Sequence, residues 1–220
     1  MATAAQPFLF IGCVELRQAL DRRALDEREL MDRLEEVPAG SIFYHTHGYF
    51  LRHRPLTTAY GNDFARWAAV EVRDGALAER LAVVDPFEYP DLERLREELV
   101  TIVHDHLRGL STVPRAEPAG AFHFQQSHIV EVPLGTGVTT LAEFREGLAG
   151  VDASAIYFHM VEARARLGRR SGDFAEWLRT SLELPALAER IERIDTYMTS
   201  LERVRARVLS LVDQELERQG

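Results

Sequence analysis

The chain reads as if it were written twice. Sliding it against itself by about 110 residues sets "GALAERLAVVD" on "PALAERIERID", so that Ala76, Leu77, Ala78, Glu79, Arg80 and Asp85 recur as Ala186, Leu187, Ala188, Glu189, Arg190 and Asp195. Four further pairs keep the same order: "FLF" with "FHF", "SIFYH" with "AIYFH", "NDFARW" with "GDFAEW", and "DLERLREELV" with "SLERVRARVL". A period this long exceeds the usual solenoid repeats and points to a doubled small domain. The halves are residues 1–108 and 122–220, and the stretch at 109–121, rich in proline, glycine and small polar residues, reads as the linker. A half of this size is marginal alone, and an amphipathic face present in both halves finds its partner most easily in the other.

Each copy arbitrates the secondary structure of its counterpart. "SIFYHTHGYF" is aromatic and carries Gly48, so alone it could be a strand, but "YFHMVEARARL" is full of helix formers and predicts helix for both. Before them, Leu30, Leu34 and Val37 and then Phe144, Leu148 and Val151 lie at helical spacing, behind Asp26 with Glu29 and Thr140 with Glu143, two capping-box patterns. Phe64 with Trp67 and Phe174 with Trp177 mark a third helix, Leu77 with Leu81 and Leu187 with Ile191 a fourth. A last helix is expected from about Leu92 to Leu107 and from about Leu201 to Leu216. Only "FLFIGCVEL" and "FHFQQSHIVEV" look extended. The expected fold is mainly α and internally duplicated, each half a short N-terminal strand plus about four helices, packed as one pseudo-twofold body.

Composition excludes several function classes. With a formal charge of −9 the chain lacks the basic field that a phosphate backbone or an anionic membrane surface selects, so neither nucleic acid nor membrane is an expected partner. The sequence contains no lysine, which removes Schiff-base chemistry and the phosphate lysines of P-loops and kinases. A single cysteine, Cys13, forbids an intrachain disulfide and fits a reducing compartment, and the first residues carry no basic, apolar leader pattern. A cytoplasmic location is the expectation.

The segment "YHTHGYFLRH", then "NDFARW", the "LAERL" run and the "LERLREEL" helix resemble a bacterial and archaeal family catalogued as domain of unknown function 5752. The likeness spans nearly the whole chain. It implies a prokaryotic protein and carries over no catalytic residue, because the family has no assigned activity.

His45 and His159 occupy one position in the two copies, and each is either a ligand or general base or a buried imidazole tying its helix to a neighbour. His45 and His47, two apart on a helix, point to opposed faces and are poorly placed to share an ion, and the same holds for His104 and His106. His159 and Glu162 have a workable spacing, but Gly48 replaces the glutamate in the first copy, so no metal site is assigned. Asp63 and Asp173 stand where the third helices begin and read as caps or, alternatively, catalytic carboxylates. Arg52, His53 and Arg54 precede "GNDF", while Arg164, Arg166, Arg169 and Arg170 precede "SGDF". Arginines converging on a helix start favour an anion.

The leading expectation is a non-catalytic small-anion-binding or accessory module, with His47, Tyr49, Arg52, Arg54, Asn62, His159, Arg166, Arg169, Arg170 and Asp173 as ligand-binding positions. The competing one is an enzyme whose site lies mainly in the first half, using His45, His53 and Asp63 together with His47 and with support from Arg52, with or without a metal. The partner is a small anion or a protein, self-association stays open, and no cofactor is named by the sequence.

Overall fold

Alternating exposure and a free choice of partners make the two extended stretches the pieces most dependent on tertiary context. In the computed structural model, which describes residues 3–52, 60–164, 171–197 and 199–219, they form β1 (Ile11–Ala24) and β2 (Phe122–Pro133), paired as one two-stranded antiparallel sheet. The first run of helices is α1 (Glu27–Glu36), α2 (Ala39–His45), α3 (Tyr49–Arg52), α4 (Asp63–Trp67), α5 (Gly75–Ala82) and α6 (Leu92–Leu107). The second is α7 (Leu141–Gly150), α8 (Ala153–Tyr157), α9 (Asp173–Thr180), α10 (Pro185–Glu192) and α11 (Leu201–Gln219). Helices α4 and α8 each run on into a π-helical turn, Ala68–Val72 and Phe158–Glu162.

Start signals act as their chemistry requires. Asp26, Asp74 and Asp91 each accept an amide of the first turn that follows, and Thr140 with Glu143 forms a full capping box. Glu29 reaches past the cap instead, taking the Leu25 amide at 2.9 Å. In α6 the buried residues Leu95, Leu99, Ile102 and Val103 repeat at helical spacing and so form one apolar stripe.

The chain divides into two compact units, one of Met1–Val14 with Ile129–Gly220, the other of Glu15–His128. In the second unit Leu30, Leu34, Ile42, Phe64, Trp67, Leu77, Leu81, Leu95 and Leu99 pack with Phe122 and Phe124. In the first, Phe8 sits 5.6 Å from Phe144, 5.5 Å from Phe174 and 5.4 Å from Trp177, and Phe10 stacks on Phe144. Burying each such ring contributes about 1.5–3 kcal/mol.

This arrangement corrects the expected fold class. Mainly α holds, but the strands are not short leaders of two duplicated halves, and no pseudo-twofold body of strand-led halves results. One strand is N-terminal, the other lies mid-chain, and they complete a single sheet. The physical reason lies in the aromatics. Phe8 and Phe10 from the start of the chain fill the core built by α7 and α9, while Phe122 and Phe124 fill the core built by α4 and its neighbours. A strand whose rings lie among the other sequence half's helices cannot lead its own half. Among the described residues no helix is long and apolar enough to cross a membrane.

Candidate functional site

Helix α2 ends on His45, whose ring is almost fully buried. Its Nδ1 lies 2.9 Å from Asp63 Oδ2, and its Nε2 accepts the Gln125 amide at 3.0 Å. An amide only donates, so Nε2 carries a lone pair and the single proton of the neutral ring sits on Nδ1, aimed at the carboxylate. Burial holds His45 below its usual range despite the pull of Asp63. Arg52 closes the other side, with Nη2 donating to Asp63 Oδ2 at 2.5 Å and Nη1 to the Tyr44 carbonyl at 2.8 Å. Its guanidinium lies 3.7 Å over the Tyr44 ring, a cation–π contact. Gly48 is required here because a Cβ would stand 2.8 Å from the Tyr44 carbonyl oxygen and 3.0 Å from Arg52 Nη1.

His159, in the π turn after α8, is bonded in the same way. Its Nδ1 is 2.9 Å from Asp173 Oδ2, and its Nε2 accepts the Ile11 amide at 2.9 Å. Each histidine thus ties a helix to a strand residue, Gln125 of β2 or Ile11 of β1. Trp67 and Trp177 add a second tie of one kind, donating to the carbonyls of Gly120 and Gln6, both at 2.8 Å.

The other positions singled out in the sequence go to separate places. Asn62, not Asp63, caps α4: its Oδ1 accepts the Ala65 amide and its Nδ2 donates to the Leu81 carbonyl, both at 2.8 Å. Helix α9 is preceded by Gly172 and has no side-chain cap, so Asp173 is free of that duty and faces His159. His47 lies beyond the end of α2, stacked on Phe43 and edge-on to Phe87, and burial drives it down to about 3. Tyr49 is fully buried. His53, Arg54, Arg166, Arg169 and Arg170 lie outside the described residues.

Two clusters escaped sequence reasoning. The first is a groove of about 590 Å³ lined by Leu20, Asp21, Arg22, Arg23, Arg33, Glu36 and His123. Three arginines face two carboxylates there; Glu36 pairs with Arg33 at 2.6 Å and more loosely with Arg22 at 3.7 Å. The groove depends on β1 running beside α1, an approach between distant residues that the sequence does not announce.

The second joins Glu27 in the first turn of α1, Asp74 at the start of α5 and His106 in the last turn of α6. His106 Nε2 is 2.9 Å from Asp74 Oδ2 and 3.7 Å from Glu27 Oε2. Burial, with Asp74 nearby, raises Glu27 to about 7. Burial also pushes Asp74 upward, but the Leu77 amide and His106 outweigh it and hold that carboxyl below its usual range. Each residue has a local excuse in the sequence, as first-turn acid, cap and helix-end histidine. The signal was in the comparison of the halves, where Leu141, Leu184 and Glu215 stand against them.

Among the described residues the architecture is helical with one two-stranded sheet, its strands pinned by histidines, and the segments just before them by tryptophans, to two aromatic cores. The chain belongs to the family of unknown function DUF5752, which it matches over residues 5–213. Among solved structures it is similar to OrfY from Thermoproteus tenax, with 29% sequence identity, 97% of each chain covered and a TM-score of 0.82. No curated protein matches it at a significant level.

Proposed function

We propose that the protein is a non-catalytic binding module for a small anion, held in the groove between β1 and α1 by Arg22, Arg23 and Arg33 with His123 alongside. The observation that carries this reading is that three arginine residues line one concavity in a chain of net charge −9. Guanidinium forks match carboxylate and phosphate oxygens, and the groove lies in the size range of small-ligand sites. Arg52 is a weaker anion receptor, since Asp63 and the Tyr44 carbonyl already occupy it.

The enzyme reading rests on the convergence of His45, Asp63 and Arg52. It lacks a free base, because both ring nitrogens of His45 are engaged and the ring is almost wholly buried. A general base needs an unoccupied nitrogen within reach of substrate.

Inorganic phosphate and citrate, titrated against the purified protein in a thermal-denaturation assay, test the proposal. Binding to the native state at about 100 times Kd raises stability by about 2.7 kcal/mol. The double variant Arg23→Ala, Arg33→Ala is expected to abolish the shift. An equal shift in that variant, or none in the wild type with either anion, refutes the groove as the site.

A further inference from the structure

We propose that Glu27, Asp74 and His106 form a binding site for one divalent transition-metal ion, of the zinc, cobalt or manganese class. One donor atom from each of the three lies within 4.8 Å of the others. Donors around a single ion at 2.0–2.2 Å stand roughly 2.8–3.6 Å apart, depending on geometry. The separations of 2.9 Å from His106 Nε2 to Asp74 Oδ2 and 3.7 Å to Glu27 Oε2 need adjustment of only about a tenth of an ångström to meet that range.

The second and independent observation is Glu27 itself. Its side chain has no exposure to solvent, and as a carboxylate neither of its oxygens has a hydrogen-bond donor among the described residues; it bonds to Asp74 by keeping a proton. A buried carboxylate left in that state is costly, and such groups are ordinarily paired or coordinate a metal. The His106–Asp74 pair by itself explains two of the three residues and leaves Glu27 bonded only while it keeps its proton, as a donor to Asp74. An ion of charge +2 between two carboxylates and an imidazole explains all three and neutralises the cluster.

The surroundings orient the donors. The Leu77 amide donates to Asp74 Oδ1 at 2.9 Å, which leaves Oδ2 as the oxygen turned toward His106. Fixing one carboxylate oxygen so that the other meets the ion is the usual part of outer-shell bonds. One imidazole with two carboxylates selects a borderline transition metal over calcium or magnesium, whose sites are built from oxygen alone, and no thiolate is present to favour copper(I). Three protein donors leave at least one coordination position for water or another ligand. Glu27, Asp74 and His106 belong to the same compact unit, Glu15–His128.

The test uses tag-free full-length protein, stripped with a chelator, desalted and titrated with cobalt(II), followed by visible absorption and thermal denaturation. The expected result is one equivalent bound, with d–d bands that competition by zinc(II) abolishes and a raised melting temperature that a chelator reverses. Glu27→Gln keeps the shape and can donate to Asp74, and it is expected to weaken cobalt binding by at least about 100-fold. His106→Gln is expected to do the same, and circular dichroism establishes that both variants are folded. His104→Gln, altering an exposed histidine of the same helix turn, is expected to leave the titration unchanged. Absence of saturable one-equivalent binding in the wild type overturns the site. So does wild-type affinity in Glu27→Gln, which decides the matter even if His106→Gln does not fold.

Discussion

His45 Nδ1 lies 2.9 Å from Asp63 Oδ2, and the same 2.9 Å separates His159 Nδ1 from Asp173 Oδ2. In both pairs the far nitrogen accepts a strand amide, so each ring is a two-ended clasp between a helix and β1 or β2. Truncating the ring strands a buried amide and removes one partner from a carboxylate. His45→Ala and His159→Ala are each expected to lose about 2–4 kcal/mol in urea unfolding, more than a single neutral hydrogen bond is worth. A loss under about 0.5 kcal/mol would mean that the strands are held by their aromatics alone.

Acid should loosen the unit that holds His47. The ordinary value for this ring is 6.5, and burial among Phe43, Phe87 and Thr46 lowers it to about 3 in the folded chain. Between those values the unfolded chain binds more protons, so stability is fully present above 6.5 and falls as pH drops toward 3, by ~1.4 kcal/mol per unit. The His45 shift has the same direction and adds to the slope. Glu27 titrates with the opposite slope over the same window, so the His47 contribution is read as a difference: urea midpoints at pH 7, 6 and 5 should fall more steeply, or rise less, in the wild type than in His47→Gln.

Much of this was legible in the residues because its causes are local. Helix α6 begins and ends where apolar spacing and Asp91 place it, and the recurrence of His45 and His159 marked them before any geometry was known. The strand exchange was not legible. Phe8 and Phe122 are equally apolar, and nothing in either stretch says which helices will surround it. The Gln125 and Ile11 amides were equally hidden, since every backbone amide looks alike in sequence. Around β1 only "FLFIGCVEL" looks extended in the sequence, whereas β1 continues through the charged "RQALDRRA", whose exposed arginines suit a strand with one side open to solvent.

The groove makes separate predictions for affinity and for stability. Glu36 holds Arg33 at 2.6 Å and Arg22 at 3.7 Å, so it competes with any incoming anion. Glu36→Gln releases both guanidinium groups. Surface pairs of this kind are worth at most about 1 kcal/mol, so stability should change little while phosphate binding tightens by about five-fold at low salt. The gain should shrink as ionic strength rises, because the groove is open to screening. Calorimetric titration at two salt concentrations reads both effects, and a weaker or unchanged affinity in the variant would place the anion elsewhere.

Glu27 separates a structural role from a ligand role by stability alone. Its folded value, raised by burial from 4.5 to about 7, means that the folded chain keeps a proton which the unfolded chain has lost over that window. The group's contribution is therefore intact below about pH 4.5 and disappears as pH rises through 7. In metal-free protein Glu27→Gln removes the ionisation and should be more stable than the wild type at pH 8, on the order of 1–3 kcal/mol, with the two converging toward pH 5. A carboxylate that stabilises the metal-free fold in its ionised form would not behave this way, since its neutral amide isostere would then bring no gain. Urea unfolding of both proteins in the presence of chelator, at pH 5 and pH 8, makes the comparison, and a variant less stable than the wild type at both values would show that Glu27 earns its place in the fold without any ion.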